Sequence, residues 1–222
     1  MTLPRPVRGV VFDMDGLLVD TEVLIRDLML EAAPRFGREL PLDVFLSMVG
    51  LPYADSDRIA QAHFGEDFPL RAYFADVEQQ VHAACEAGVA LKAGVVELLD
   101  HLEAADLPRA IATSSSHRAV QRTLGPSGVL PRFQAIVAAG DYARGKPNPD
   151  PFLEAARQLR VDPADCLALE DSHNGVRAAH AAGMMTVMVP DLLHPTAEMH
   201  ALAIAVTESL HDVVAMLEAV RT

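Results

Sequence analysis

The chain has 222 residues, half of them hydrophobic, and a formal net charge of -13. That length holds one large domain or a domain with an insertion, and the apolar fraction is enough for a sizeable core. The charge argues against nucleic acid and anionic membranes as partners, and an anionic substrate would need a bound cation and a few local positive groups.

Cys85 and Cys166 are the only cysteines. Each sits in an apolar segment, and they read as reduced core thiols rather than a disulfide framework. The opening Met1-Thr2-Leu3-Pro4-Arg5-Pro6 has no signal-peptide core, and no apolar run reaches the length of a membrane span. A soluble, cytoplasmic protein is the expectation. Of the 18 basic residues only Lys92 and Lys146 are lysines, so a lysine here is the rarer choice.

Residues 7–12 read as a short buried strand after the breaker Pro6, running into Asp13-Met14-Asp15-Gly16. From 21 to 36 the period turns helical, with Leu24, Leu28 and Ala32 four residues apart and Gly37 as the stop. Helical patterns continue at 41–49, 53–64 and 69–87, with no strand pattern between Asp20 and Ala90. That block is expected to form a small helical bundle of its own.

After Gly88 helix and strand alternate. Val95, Leu98, Leu99 and Leu102 mark a helix, and 109–113 a strand that ends in Thr113-Ser114-Ser115-Ser116. A helix over 117–125 leads to a strand over 135–139 and then to the loop that carries Lys146. Asp150-Pro151 predicts a helix start with Asp as N-cap, and Asp162-Pro163 a second, brief one. Residues 166–169 form a strand ending in Glu170-Asp171, followed by a helix over 174–182 and strands at 185–189 and 203–206. Ser209 caps a last helix with Leu210, Val213, Val214, Leu217 and Val220 on one face. The alternation implies an α/β fold with a mostly parallel sheet covered on both faces. In such sheets the ligand crevice lies beyond the carboxyl ends of the strands, where every polar cluster just named falls.

Two carboxylates in an apolar run must be protonated, paired or bound to a cation. Phosphoryl transfer needs a nucleophile, a proton donor for the leaving oxygen, and positive charge around the transferring oxygens. Asp13 is the best nucleophile and Asp15 the best acid/base, since two residues on it can protonate a departing alcohol and then activate water. Mg²⁺ wants oxygen ligands, which Asp13, a backbone carbonyl near Asp15 and Asp171 would supply, with Glu170 in support. Thr113 and Ser114 would bind phosphate oxygens at a helix N-terminus, and Lys146 would tether the phosphate. Ser115 and Ser116 read more readily as caps for the next helix, and Ser172 as the cap of the one after Asp171. His173 and His180 lack a partner at metal-ligand spacing.

The four stretches Asp13-Met14-Asp15-Gly16, Thr113-Ser114-Ser115, Gly145-Lys146-Pro147-Asn148-Pro149-Asp150 and Leu169-Glu170-Asp171-Ser172 resemble, in order and spacing, the motifs of the haloacid dehalogenase-like hydrolase superfamily. The chain looks like the branch holding sugar-phosphate phosphatases and β-phosphoglucomutase. The resemblance implies a Rossmann-like three-layer core over 1–19 and 91–222, with an all-helical cap over 20–90 inserted after the first strand. It further implies Mg²⁺ dependence, an aspartyl-phosphate on Asp13, and a cap that opens and closes over a small phosphorylated metabolite. Asp15 favours phosphoryl transfer over carbon–halogen cleavage. Mutases of this branch usually carry a histidine and an arginine where this chain has Ile25 and Tyr53, which favours a phosphatase over a phosphomutase. A phospho-accepting signalling module is a further alternative, opposed by the cap and by an Asp15 placed to hydrolyse an acyl-phosphate. Substrate choice is expected to rest on Thr21, Glu22, Tyr53 and the loop Gly50-Leu51-Pro52, with Arg26 and Arg58 as lesser candidates. A cap that must swing favours a monomer.

Overall fold

The computed structural model describes residues 3–51 and 53–219. Strand β1 (Gly9–Phe12) is buried along its whole length. A helical block follows: α1 (Thr21–Ala32), extended by a 3₁₀ turn over Ala33–Phe36, then α2 (Leu42–Leu46), α3 (Tyr53–Phe64) and α4 (Leu70–Ala87). Helices and strands then alternate through α5 (Val95–Ala104), β2 (Arg109–Ser116), α6 (His117–Leu124), β3 (Ala135–Ala139), α7 (Asp150–Leu159) and β4 (Cys166–Glu170). The described chain closes with α8 (His173–Ala181), β5 (Met185–Met188), α9 (Ala197–Leu202), β6 (Ala205–Val206) and α10 (Leu210–Glu218).

The six strands form one sheet in the order β3-β2-β1-β4-β5-β6, and every neighbouring pair is parallel. A parallel sheet covered on both faces needs strands that are apolar on both sides, and β1 alternates accordingly. Val10 and Phe12 join Leu98, Leu102, Leu124 and Leu217 on one face. Val11 joins Phe152, Ala155, Ala178 and Ala179 on the other. The chain builds outward from β1 to β3 and then returns to add β4 to β6 on the far side, so the order reverses between β1 and β4. Crevices open at such reversals, beyond the carboxyl ends of the strands.

The helical block has an apolar cluster of its own, which explains why its sequence reads as a separate bundle. Tyr73 is fully buried there, with Phe64 and Phe68 stacked at 4.0 Å between ring centroids. Its hydroxyl donates to the Met29 carbonyl at 2.8 Å, so the buried phenol is satisfied. Two linkers join block and sheet, and they pair with one another. The Asp20 amide donates to the Ala90 carbonyl at 3.2 Å, and the Lys92 amide to that of Leu18 at 3.0 Å. Both cysteines are free and buried.

Some local expectations need correction. Pro149, not Asp150, is the N-cap of α7, and the Asp150 carboxylate is instead held by Arg144 at 3.0 Å. The helix expected over 41–49 shrinks to Leu42–Leu46, and α9 lies where no helix was expected. Ser116 and Ser172 do cap α6 and α8, accepting from Ala119 and Gly175 amides. Val220 lies outside the described residues.

Candidate active site

The reversal of strand order between β1 and β4 puts Asp13 and the pair Glu170-Asp171 side by side. The Asp13 amide donates to the Leu169 carbonyl at 3.0 Å, which locks the two strand ends together. Lys146 reaches in from the loop after β3, with its ammonium hydrogen-bonded to Asp13 and, at 2.5 Å, to Glu170. Its side chain is only 6% exposed, and it lies over the Phe152 ring, 5.0 Å from the centroid. Burial works against that charge, but Asp13 and Glu170 outweigh it and raise the Lys146 pKa. Glu170 is fully buried, and its other oxygen accepts from the Ser172 amide at 3.1 Å and hydroxyl at 3.0 Å.

Asp13, Glu170 and Asp171 each offer an oxygen within 4.8 Å of the others, a set of three buried carboxylates facing one ammonium. Burial and mutual repulsion push Asp13 and Asp171 well above the usual carboxylate range. Asp171 Oδ1 is buried without a hydrogen-bond partner. A Cβ on Gly16 would stand 2.3 Å from Asp171 Oδ2, and this glycine also has φ of +81°, so the turn tolerates no side chain beside the cluster. Hard oxygens, an excess of negative charge and an orphaned acceptor fit a divalent cation such as Mg²⁺. Glu170 already serves Lys146 and Ser172, which makes Asp13 and Asp171 the better direct ligands. Among the described residues, no other group of three such side chains stands this close. His173 and His180 instead contact backbone carbonyls of His194 and Leu202.

The Asp15 carboxylate stands apart from that set. It accepts from Thr21 Oγ1 and from Ser115 Oγ, both at 2.8 Å. Ser115, expected to cap α6, is thus a site residue, and sequence position gave no signal beyond its place in a hydroxyl run at a strand end. Thr113 is buried and accepts the Ser115 amide at 3.0 Å, while Ser114 is exposed at the end of β2. Gly175, in the first turn of α8, was also missed. A Cβ there would lie 1.8 Å from the Glu170 carboxylate, so the glycine makes room for it. A glycine inside a helix, about 1 kcal/mol worse than alanine, was the available clue.

Of the residues expected to choose substrate, Thr21 and Glu22 sit at the site. Burial, with Asp15 and Asp191 nearby, pushes the Glu22 carboxyl up to about 7 against the pull of Lys92. Arg26 and Arg58 are engaged by Asp27 and Asp55 instead. Ile25 packs against the apolar cluster of the helical block. Pro52 and the Tyr53 side chain lie outside the described residues.

The chain is similar to known proteins. A fructose-1-phosphate phosphatase of Escherichia coli is 31% identical over 189 residues, covering 82% of this chain and 95% of its own. A bifunctional riboflavin kinase/FMN phosphatase of Arabidopsis thaliana is 31% identical over 92% of this chain, which spans about half, 54%, of that protein's length. Among solved structures, a HAD family hydrolase of Deinococcus radiodurans with bound phosphate and sodium superposes with a TM-score of 0.80. It is 30% identical and covers 96% of each chain. The family model for haloacid dehalogenase-like hydrolases matches residues 10–189, from β1 to just past β5. This chain therefore belongs to the haloacid dehalogenase-like hydrolase family.

Proposed function

We propose that the protein is a Mg²⁺-dependent phosphatase that releases phosphate from a small phosphorylated metabolite, with a sugar phosphate as the favoured class. The observation that carries this reading is the split between two aspartates two residues apart. Asp13 is buried beside an ammonium and two further carboxylates, whereas Asp15 is half-buried and held by two hydroxyls. The E. coli relative's name, fructose-1-phosphate phosphatase, supports the substrate class.

Asp13 and Asp171 would hold Mg²⁺, helped by a backbone carbonyl near Asp15 and with Glu170 in support; when bound, the ion supplies positive charge to the phosphoryl oxygens. Lys146 adds a fixed positive charge on the same side, and Thr113 with the amides beyond it would bind phosphate oxygens, Ser114 contributing its hydroxyl. A carboxylate oxygen of Asp13 attacks phosphorus as the bond to the leaving oxygen breaks, giving an aspartyl-phosphate. The Asp15 carboxyl gives its proton to that leaving oxygen, then takes one from the water that attacks phosphorus and restores Asp13. Thr21 and Ser115 fix the Asp15 side chain for both transfers. Residues 20–90 act as a lid whose first helical residue, Thr21, already touches the acid/base, with Glu22 and Tyr53 as specificity candidates.

Phosphomutases of this branch hold a second phosphate, and an apolar Ile25 packed against the lid's own cluster speaks against that here. Steady-state phosphate release from a panel of sugar phosphates, with Mg²⁺, tests the reading. Asp13→Asn is expected to lose about a thousandfold or more in kcat; release at the wild-type rate would refute it.

A further inference from the structure

The loop after β5, residues 190–194, lies outside the carboxylate cluster yet meets the helical block repeatedly. Asp191 Oδ1 accepts from Lys92 Nζ at 2.6 Å, and the same ammonium reaches Asp20 at 3.3 Å. Lys92, on the second linker, thus ties Asp20 on the first linker to a core carboxylate. Its side chain is 8% exposed and its second oxygen is buried without a partner, so Lys92 is what keeps that charge in place. Leu192, next along, packs against the apolar cluster of the helical block. Among the described residues it is the one member of that cluster from outside the block.

A polar contact lies beside the apolar one. Asn174 Nδ2 donates to the Gly50 carbonyl at 2.7 Å, joining the first turn of α8 to the loop between α2 and α3. The amide is oriented by Arg177, whose Nη1 donates to Asn174 Oδ1 at 3.0 Å. Arg177 is in turn held by Glu198 on α9 at 2.6 and 2.8 Å. Since the acceptor is a backbone carbonyl, the contact asks nothing of the side chains in the lid loop. Leu193 lies under the same glycine, 3.7 Å from where a Cβ would stand.

We propose that Leu192 and Asn174 are positioning residues that seat the helical block on the core and so keep Thr21 on Asp15. Leu192 supplies the apolar grip and Asn174 the directional one. The consequence for catalysis rests on the phosphatase reading, but the seat itself is read without turnover.

Amide hydrogen exchange on the full chain tests it, in Leu192→Ser, Asn174→Ala and the conservative variants Leu192→Met and Asn174→Asp. Amides in the linkers (18–22 and 88–92) and in the lid loop (48–51) are expected to exchange roughly tenfold faster in Leu192→Ser, while those of β1 and β4 keep their protection. Asn174→Ala and Asn174→Asp are expected to show a smaller acceleration alike, because both remove the donor. Leu192→Met should restore wild-type exchange. Unchanged exchange in the linkers and lid loop would overturn the proposal. So would equal acceleration of β1 and β4, which would mark these residues as general packing. Failure of the phosphatase reading would leave these exchange rates untouched, so the two are distinguishable.

Discussion

Asp13 and Asp15, two residues apart, stand in sharply different surroundings. Strand geometry sends Asp13 into a buried cluster with Lys146, Glu170 and Asp171, and the turn at Gly16 leaves Asp15 among hydroxyls. Pairs of carboxyls in contrasting surroundings are how one site holds both a nucleophile and a proton carrier. Glu22 is a third carboxyl with a measurable signature. Its folded pKa of about 7 exceeds the ordinary 4.5, with burial first and then Asp15 and Asp191 as causes, while Lys92 opposes. The folded state thus retains a proton that the unfolded chain has released, and stability falls as pH rises from about 4.5 to about 7. Glu22→Gln removes that loss. In the metal-free protein it should raise Tm above pH 7 by several degrees, from a gain of order 1–3 kcal/mol, and change little below pH 4.5. Thermal melts at the two ends of that range check the sign.

Elements carry the site because strand ends and helix starts converge on it. The first turn of α8 is the tightest case: Ser172 caps it, Glu170 lies beneath it, and Gly175 leaves the space. Gly175→Ala improves helix propensity by about 1 kcal/mol yet forces a Cβ into the Glu170 carboxylate. A net loss of about 2 kcal/mol or more is expected, seen as a lower Tm, together with lost activity as Lys146 is released; a raised Tm would contradict the packing account. Most strands are legible as short apolar runs, and 135–139 matches β3 at both ends, whereas the expected 109–113 extends to Ser116 and the expected 203–206 shrinks to Ala205–Val206. The cap at Asp150 was misread because Asp-Pro fits the local rule, while Arg144 offers that carboxylate a partner six residues back. Ser115 was misread for the same reason, since its acceptor lies 100 residues away. Local signals predict local partners. Those supplied by the fold, such as Lys92 for Asp191, leave no trace in a single stretch.

At the scale of the whole molecule, sequence pattern indicated a parallel sheet but not its strand order. That order, reversing between β1 and β4, is what brings residues 13, 146, 170 and 171 together. It also resolves the opening paradox of a chain with net charge -13 proposed to bind an anion. Lys146 puts positive charge at one buried point, and the cation that the cluster fits would add to it. The described residues contain no helix long and apolar enough to cross a membrane. The measurement that bears most directly on this account is acid-quenched peptide mapping of the enzyme during turnover of a sugar phosphate with Mg²⁺. A phosphoryl group should appear on the peptide bearing Asp13 and vanish in Asp13→Asn. In Asp15→Asn it should form more slowly but persist after substrate is removed, because the carboxyl that protonates the leaving oxygen and activates water is gone. Phosphate release that continues in Asp13→Asn, with no phosphoryl group on that peptide in any variant, would contradict it.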